Sequence, residues 1–451
     1  MFRHRFPIGL HPDGTPPFPT QLRKRWNAMD AMQGTHLKRW SLACCSLLVV
    51  LVPLSFSIER HVRVVPIALL FLTGLWLLVA DRSVRRSYRH AWPAMLPAAL
   101  MVALSVVNIW QHRLGWREFD QSAHIIMYAV IAAVFTLGLN MRRVWNGFSL
   151  TLIFLGVVSI VQHHCYGVLR PAGLNGGPAS TIEFATVMLG LTLLALLQLL
   201  KPKAPTAEKW LHGAAMALGI YGALLTQSRG PLLAFVPAFA LVMALHGYRK
   251  GLRRRQWLPI LVIGIAAALT AAANLDGRLV DRFASIRNEV STYSPDHNAT
   301  GAVRERLEMW RTAVRAFKEH PLAGVGIDRF GTYVRREVAA GRTNAAVAKY
   351  GHPHNEYLDA AATRGIFGLL VLVLLFVLPF FYFFRHAGDP DDAVARPAYA
   401  GLAIVVLYAV CALTESVLFR VMSQSLFFFL LLGLAVRVGD GLRRRAEDHA
   451  G

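Results

Sequence analysis

The chain has 451 residues, of which 55% are apolar and 16% charged, and its mean hydropathy is +0.42. That excludes an ordinary water-soluble domain and describes a chain that crosses a membrane many times. The net charge of +22 invites a nucleic-acid reading, which the placement of the charge argues against.

In chain order, residues 1–40 read as a basic cytoplasmic tail. Pro16, Pro17 and Pro19 oppose regular structure there, and residues 21–40 can form a basic interfacial helix. The tail is too long for a signal-peptide n-region and no small-residue cleavage site follows it, so the first span should stay as an anchor. A spanning helix needs about 20 mostly apolar residues, and about 12 windows meet that need. They cover residues 41–58, 62–80, 91–110, 124–139, 145–161, 180–200, 210–225, 231–246 and 257–274, then 366–384, 398–414 and 422–436. The expected organisation is a tail (1–40), nine spans (41–274), one long loop (275–365), three spans (366–438) and a second cytoplasmic tail (439–451). With both termini in the cytoplasm, 27 of the 48 Lys and Arg residues gather on that side and 7 lie in the short loops opposite. This is the positive-inside bias; the +22 is mostly topology, and nucleic-acid binding is not expected. Cys44, Cys45 and Cys411 fall inside apolar windows and Cys165 at the end of one, so neither a disulfide framework nor a cysteine metal site is suggested.

The short outer loops hold two features. His163 and His164 precede a Gly-rich stretch carrying Arg170; adjacent histidines point in different directions on a helix and read as interfacial polar residues. Thr226 to Pro231 is a turn of a few residues in which Ser228 can cap a helix starting near Pro231. A helix N-terminus attracts anions, and Arg229 beside it adds a full charge with a fork suited to phosphate oxygens. The plainer reading is an arginine snorkelling to the interface.

In the long loop, residues 291–301 are rich in turn formers. Beyond them Val303, Leu307, Trp310, Val314 and Phe317 recur at helical spacing, which predicts an amphipathic helix whose other face carries Glu305, Glu308, Arg311, Arg315 and Lys318. Arg306 borders the apolar stripe, where it can face a cavity. The connector Pro321 to Gly331 contains a G-x-G that is no dinucleotide fingerprint, since no strand precedes it. The loop ends in Tyr350 to Gly368, Y-G-H-P-H-N-E-Y-L-D-A-A-A-T-R-G-I-F-G. Asn355 suits an N-cap, and Glu356 and Asp359 suit the first turn of the helix it starts. Gly365 and Gly368 permit a bend into the next span and close packing. His352 and His354 without a third ligand make a weak metal signal. One of them is better suited to acid/base work near neutral pH, with a structural histidine as the bland alternative.

These residues resemble the O-antigen ligases, within the wider group of O-antigen ligases, O-antigen polymerases and related polyprenyl-linked oligosaccharide transferases. His354-Asn355, nine residues, then Gly365-x-x-Gly368 is similar to the family's H-[NSQ]-x9-G-x-x-G pattern. Arg229 to Leu233 fits its R-x3-L element, and Arg306 to Trp310 with Pro321 to Gly326 resembles the loop signature of the wider group.

The resemblance implies an all-α polytopic membrane enzyme, GT-C-like, with one large, mainly helical periplasmic loop between helices 9 and 10. The implied setting is the bacterial inner membrane with the active site facing the periplasm. An undecaprenyl-pyrophosphate-linked polysaccharide would be the donor and a lipid A-core sugar hydroxyl the acceptor. In that scheme His354 is the base, and Arg229 with Arg306 and Arg287 holds the pyrophosphate. Ser228, His352, Asn355, Gly365 and Gly368 support them. The lipid pyrophosphate already carries the activation, so no cofactor, ATP or metal is demanded. An O-antigen polymerase or a protein O-oligosaccharyltransferase would share the donor chemistry. A secondary transporter is the rival of another class, disfavoured because the main polar cluster lies in an outer loop instead of at mid-membrane.

Overall fold

A computed structural model describes residues 39–56, 58, 61–174, 181–201, 203–250, 260, 288–294 and 301–449. The ninth expected span, residues 257–274, and Arg287 lie outside the described residues apart from Ile260. The described residues are almost wholly helical: α1 (Arg39–Ser55), α2 (Val64–Ala80), α3 (Arg82–Gln111), α4 (Asp120–Ile131), α5 (Met141–His164), α6 (Thr181–Leu199), α7 (Thr206–Leu225), α8 (Arg229–Lys250), α9 (Ala302–Glu319), α10 (Phe330–Ala339), α11 (Glu356–His386), α12 (Asp392–Cys411) and α13 (Val421–Asp448).

Among the described residues, eight helices are long and apolar enough to cross a membrane: α3, α5, α6, α8, α11, α12, α13, and α4 counted with the 3-10 turns on either side of it. The protein is a multi-pass, all-α membrane protein. In a bilayer a span must satisfy its backbone polar groups within itself, which is why such windows fold as helices. The apolar windows of α13, α6 and α12 are 89%, 83% and 78% buried, so these three form the centre, while α3, α8 and α11 turn an apolar face outward. The fourth expected span, 124–139, is helical only to Ile131 and tightens into a 3-10 turn over Ala132–Thr136. Its side chains there are buried against α13, with Phe135 packed edge-on to Phe429.

The chain direction alternates, so the ends of α3, α5, α7 and α12 and the starts of α4, α8, α11 and α13 share one end of the bundle. There α9, α10 and residues 345–355 form a small extramembrane unit on a core of Met309, Ala313, Ala316, Phe330, Tyr333, Val334, Val347 and Ala362. This corrects the phase expected for α9. Val314 is exposed, whereas Glu305 and Glu308 are buried. Burying a carboxylate is costly unless it is hydrogen-bonded, and here partners are at hand. Glu308 accepts from the Tyr293 hydroxyl (2.6 Å) and the Asn344 amide (3.1 Å), and Glu305 from Tyr350 and from Lys349 (3.3 Å). Glu337 on α10 is fully buried and takes the Arg342 and Arg315 guanidinium groups, which hold its carboxyl below the usual range.

The unit is tied to the bundle at a break in α11. Gly365 has φ 65° and ψ −158°, so its backbone leaves the helix for one residue. The freed amide of Ile366 bonds the carbonyl of Pro321 (2.8 Å), and the amides of Val325 and Gly326 bond the carbonyls of Ala362 and Thr363 (2.9 and 3.0 Å). The connector 321–326 thus docks on the turn that precedes the span. From α3, Asn108 clamps the same connector, donating to the carbonyl of Ala323 (3.0 Å) and accepting from the amide of Ile327 (2.9 Å).

A Cβ on Gly365 would lie 2.2 Å from the carbonyl oxygen of Leu322, with φ in the left-handed region. Gly365→Ala should therefore destabilise the detergent-solubilised protein by about 2 kcal/mol or more, read as a lower thermal midpoint. An unchanged midpoint would show that the docking has another source of rigidity.

Candidate active site

Three segments far apart in sequence meet at this end of the bundle. The turn 226–230 leads into α8, the loop 350–355 leads into α11, and residues 412–420 connect α12 to α13. Glu415, 4% exposed, sits at their junction. Its Oε1 accepts from Nη2 of Arg306 on α9 (2.5 Å), and its Oε2 lies 3.2 Å from Nδ1 of His354. The turn at Arg229 packs on the same residue: a Cβ on Gly230 would stand 2.6 Å from Thr414 Oγ1 and 3.0 Å from Glu415 Cγ. Only glycine allows α8 to start that close to the carboxylate. Two of the expected residues, His354 and Arg306, thus bond one side chain that no sequence motif marks, and the backbone next to Arg229 packs against it.

Local chemistry holds each group in place. Asn355 caps α11, accepting from the amide of Leu358 (3.0 Å), and its own amide group donates to the carbonyl of Leu413 (2.9 Å). Glu356, buried in the first turn, accepts from the amide of Leu418 (2.9 Å). Cap and first turn therefore fix the 412–420 loop against the histidine loop. Trp310 Nε1 donates to the carbonyl of Pro353 (3.0 Å), and the Tyr350 ring meets His354 edge-on.

His354 (φ 51°) and Gln227 (φ 53°) both occupy the left-handed region, where a non-glycine residue costs of order 1–3 kcal/mol. The surrounding bonds over-determine both. Gln227 donates to the carbonyl of Leu169 (3.3 Å), and Arg170 donates to the carbonyl of Thr226 (2.9 Å) and to Ser228 Oγ (3.5 Å). Arg170, expected only as part of a Gly-rich loop, is a brace of the Ser228-Arg229 turn. Gly365 and Gly368 lie at and just after the break in α11, below the histidine loop.

His352 plays a different part from His354. It is buried between the His354 ring (4.3 Å between centroids) and Phe419 (4.7 Å). Burial, with His354, Arg420 and Arg306 nearby, pushes its imidazole down from 6.5 to about 3. Among the described residues no group of three or more His, Cys, Asp or Glu residues is arranged to hold a metal ion. Chemically, the site joins an imidazole bonded to a carboxylate with guanidinium groups and a helix N-terminus. That combination can take a proton from a hydroxyl beside a bound anion.

Because His352 stays neutral when folded, the unfolded chain takes up a proton that the native chain does not as pH falls below 6.5. Stability is therefore full above that value and is lost progressively as pH drops toward about 3. His352→Phe, which keeps the packing on Phe419, should flatten the dependence of thermal midpoint on pH in that window. An equally steep dependence in the variant would assign it to other groups.

Comparison with known proteins bears on residues 214–373, which match the family model described as O-antigen ligase. The match takes in the second half of α7, α8, α9, α10 and the broken start of α11, and so Arg229, Arg306 and His354; it stops short of Glu415. An uncharacterised protein of Haemophilus influenzae is 21% identical over 281 residues, covering 60% of this chain and 67% of the relative. Residues 214–373, the stretch that carries the arginines and the histidine loop, are thus similar to the O-antigen ligase family.

Proposed function

We propose that the protein is an inverting, metal-independent glycosyltransferase of the GT-C-like kind. It would move an undecaprenyl-pyrophosphate-linked O-polysaccharide onto a sugar hydroxyl of lipid A-core at the periplasmic face of the inner membrane. The observation that carries the reading is the chain Arg306, Glu415, His354 beside the start of α8. It supports a reading in which His354 is the base and Arg306 part of an anion clamp, both reached by Glu415.

In this mechanism the Glu415 carboxylate accepts from His354 Nδ1–H, which fixes the tautomer and leaves Nε2 as the acceptor of a proton. The hydroxyl of the acceptor sugar gives that proton to Nε2 as its oxygen attacks the anomeric carbon. The bond from that carbon to the pyrophosphate oxygen breaks on the opposite face, and the electron pair leaves with the pyrophosphate. Arg229, Arg306 and the amides at the start of α8 stabilise the charge that grows there. Arg287, outside the described residues, belongs to the same proposed clamp. The imidazolium that forms is neutralised by Glu415, and Arg306 exchanges part of its bond to Glu415 for the phosphate. His352, neutral and packed behind His354, adds no competing charge.

The test is transfer in detergent from a defined polyprenyl-pyrophosphate donor to lipid A-core. His354→Ala should lower kcat by roughly 10²–10⁴-fold, and Arg229→Ala should abolish transfer with the protein still folded. Arg229→Lys should also be impaired, since a point charge cannot make the two-pronged contact. Glu415→Gln should lower kcat and leave the donor bound. Wild-type transfer by His354→Ala would sink the base assignment. Polymer extension on the lipid carrier without transfer to core would turn the reading to a polymerase.

A further inference from the structure

A cavity of about 350 Å³ opens on the extramembrane unit, and no residue of the His354 loop lines it. It lies where the C-terminal end of α3, the connector 320–329 and the first turn of α10 meet. The side chains that matter are His112, His320, Arg329, Thr332, Tyr333 and Arg336, and among the described residues no carboxylate lines it. Arg329 is exposed and has no ion pair among the described residues. Arg336 lies over the Tyr333 ring at 5.1 Å and pairs loosely with Glu319 (4.0 Å) and Glu337 (3.8 Å). Glu319 also accepts from the Tyr333 hydroxyl (2.8 Å), Glu337 is buried and holds Arg342 and Arg315 as well, and Asp328, next to Arg329 in the connector, does not line the cavity. Two guanidinium groups, two imidazoles and a hydroxyl thus line one space that no carboxylate among the described residues lines. Such a set suits a phosphate group.

The depth of the cavity points to a lipid-borne ligand. Trp110 and Trp116, next to His112 in sequence, are 80% and 74% exposed, and Leu322 of the connector is 66% exposed. Exposed tryptophans at a span end mark the headgroup layer. The floor is preformed, because the Asn108 clamp, the His112 contact with the carbonyl of Ala323 (3.3 Å) and the bonds to Ala362 and Thr363 hold the connector. These bonds run to the same turn of α11 whose start follows His354. A headgroup held here is therefore anchored to the element that carries the base.

We propose that this cavity binds a phosphate on the saccharide headgroup of the glycolipid acceptor, a second substrate site separate from the donor clamp. The inference rests on the transferase reading for its biological sense, but it is tested by binding alone, so its failure and the failure of that reading are distinguishable. The full chain in detergent is titrated with lipid A-core, with the same glycolipid chemically dephosphorylated, with phosphatidylglycerol, and with inorganic phosphate. Wild type should bind the phosphorylated glycolipid roughly tenfold more tightly than its dephosphorylated form. Arg329→Ala, an exposed position with no structural partner to lose, should erase that preference, and Arg329→Lys should restore part of it. Equal affinity of wild type for the two glycolipids, or a preference that survives Arg329→Ala, would overturn the proposal. Displacement of lipid A-core by phosphatidylglycerol or by inorganic phosphate at matching concentration would overturn it too, in favour of a general anion site.

Discussion

A buried carboxylate must find cations or donors, and Glu415 finds both at once. Its two oxygens divide between Arg306 and His354, and the start of α8 crosses over it at a glycine. Three connections that are far apart in the chain are fixed relative to one another by this one requirement. Remove the charge, and Arg306 is left half-buried with no counter-ion while the His354 ring is free to turn over. The hydrogen bonds of Asn355 and Glu356 into the 412–420 loop serve the same end, since they hold the backbone on which Glu415 is mounted.

The extramembrane unit is built on similar terms. Its apolar core is small, and its polar groups are placed by ion pairs and hydrogen bonds: Glu337 with two arginines, Glu308 with a tyrosine and a backbone amide, Glu305 with a tyrosine and a lysine. A unit stabilised this way depends less on burying surface than on every buried charge having its partner. That gives the unit a fixed surface.

Much of the architecture was legible because lipid imposes a simple code: long apolar windows become helices, and basic residues sort by side. The His354 loop was legible because its residues are local, with the cap at Asn355 and the bend at Gly365 both readable as single positions. Glu415 was not, since its partners lie 61 and 109 residues away and nothing in T-E-S between two spans announces them. A lone acid at the end of a span was the available signal. Arg170 escaped for the same reason. The phase of α9 was misread because Glu305 and Glu308 were given to solvent on residue type; tertiary partners, which no local pattern encodes, allow them inside. The early end of α4 reflects packing of Ala132–Thr136 on α13, again a long-range contact.

The break at Gly365 also bears on how the chain reaches its membrane. Residues 356–364 carry Glu356, Asp359 and Arg364, each of which would cost roughly 2.5–3.5 kcal/mol at the centre of an inserting helix. Because the helix restarts at Ile366, the insertion machinery meets an uncharged apolar segment up to Phe384, flanked by Arg385. The three charged residues are left on the aqueous side to fold with the connector. One glycine thus divides a 31-residue helix into an uncharged apolar segment suited to lipid and a charged first part that packs with the connector, and the histidine loop leads into the charged part.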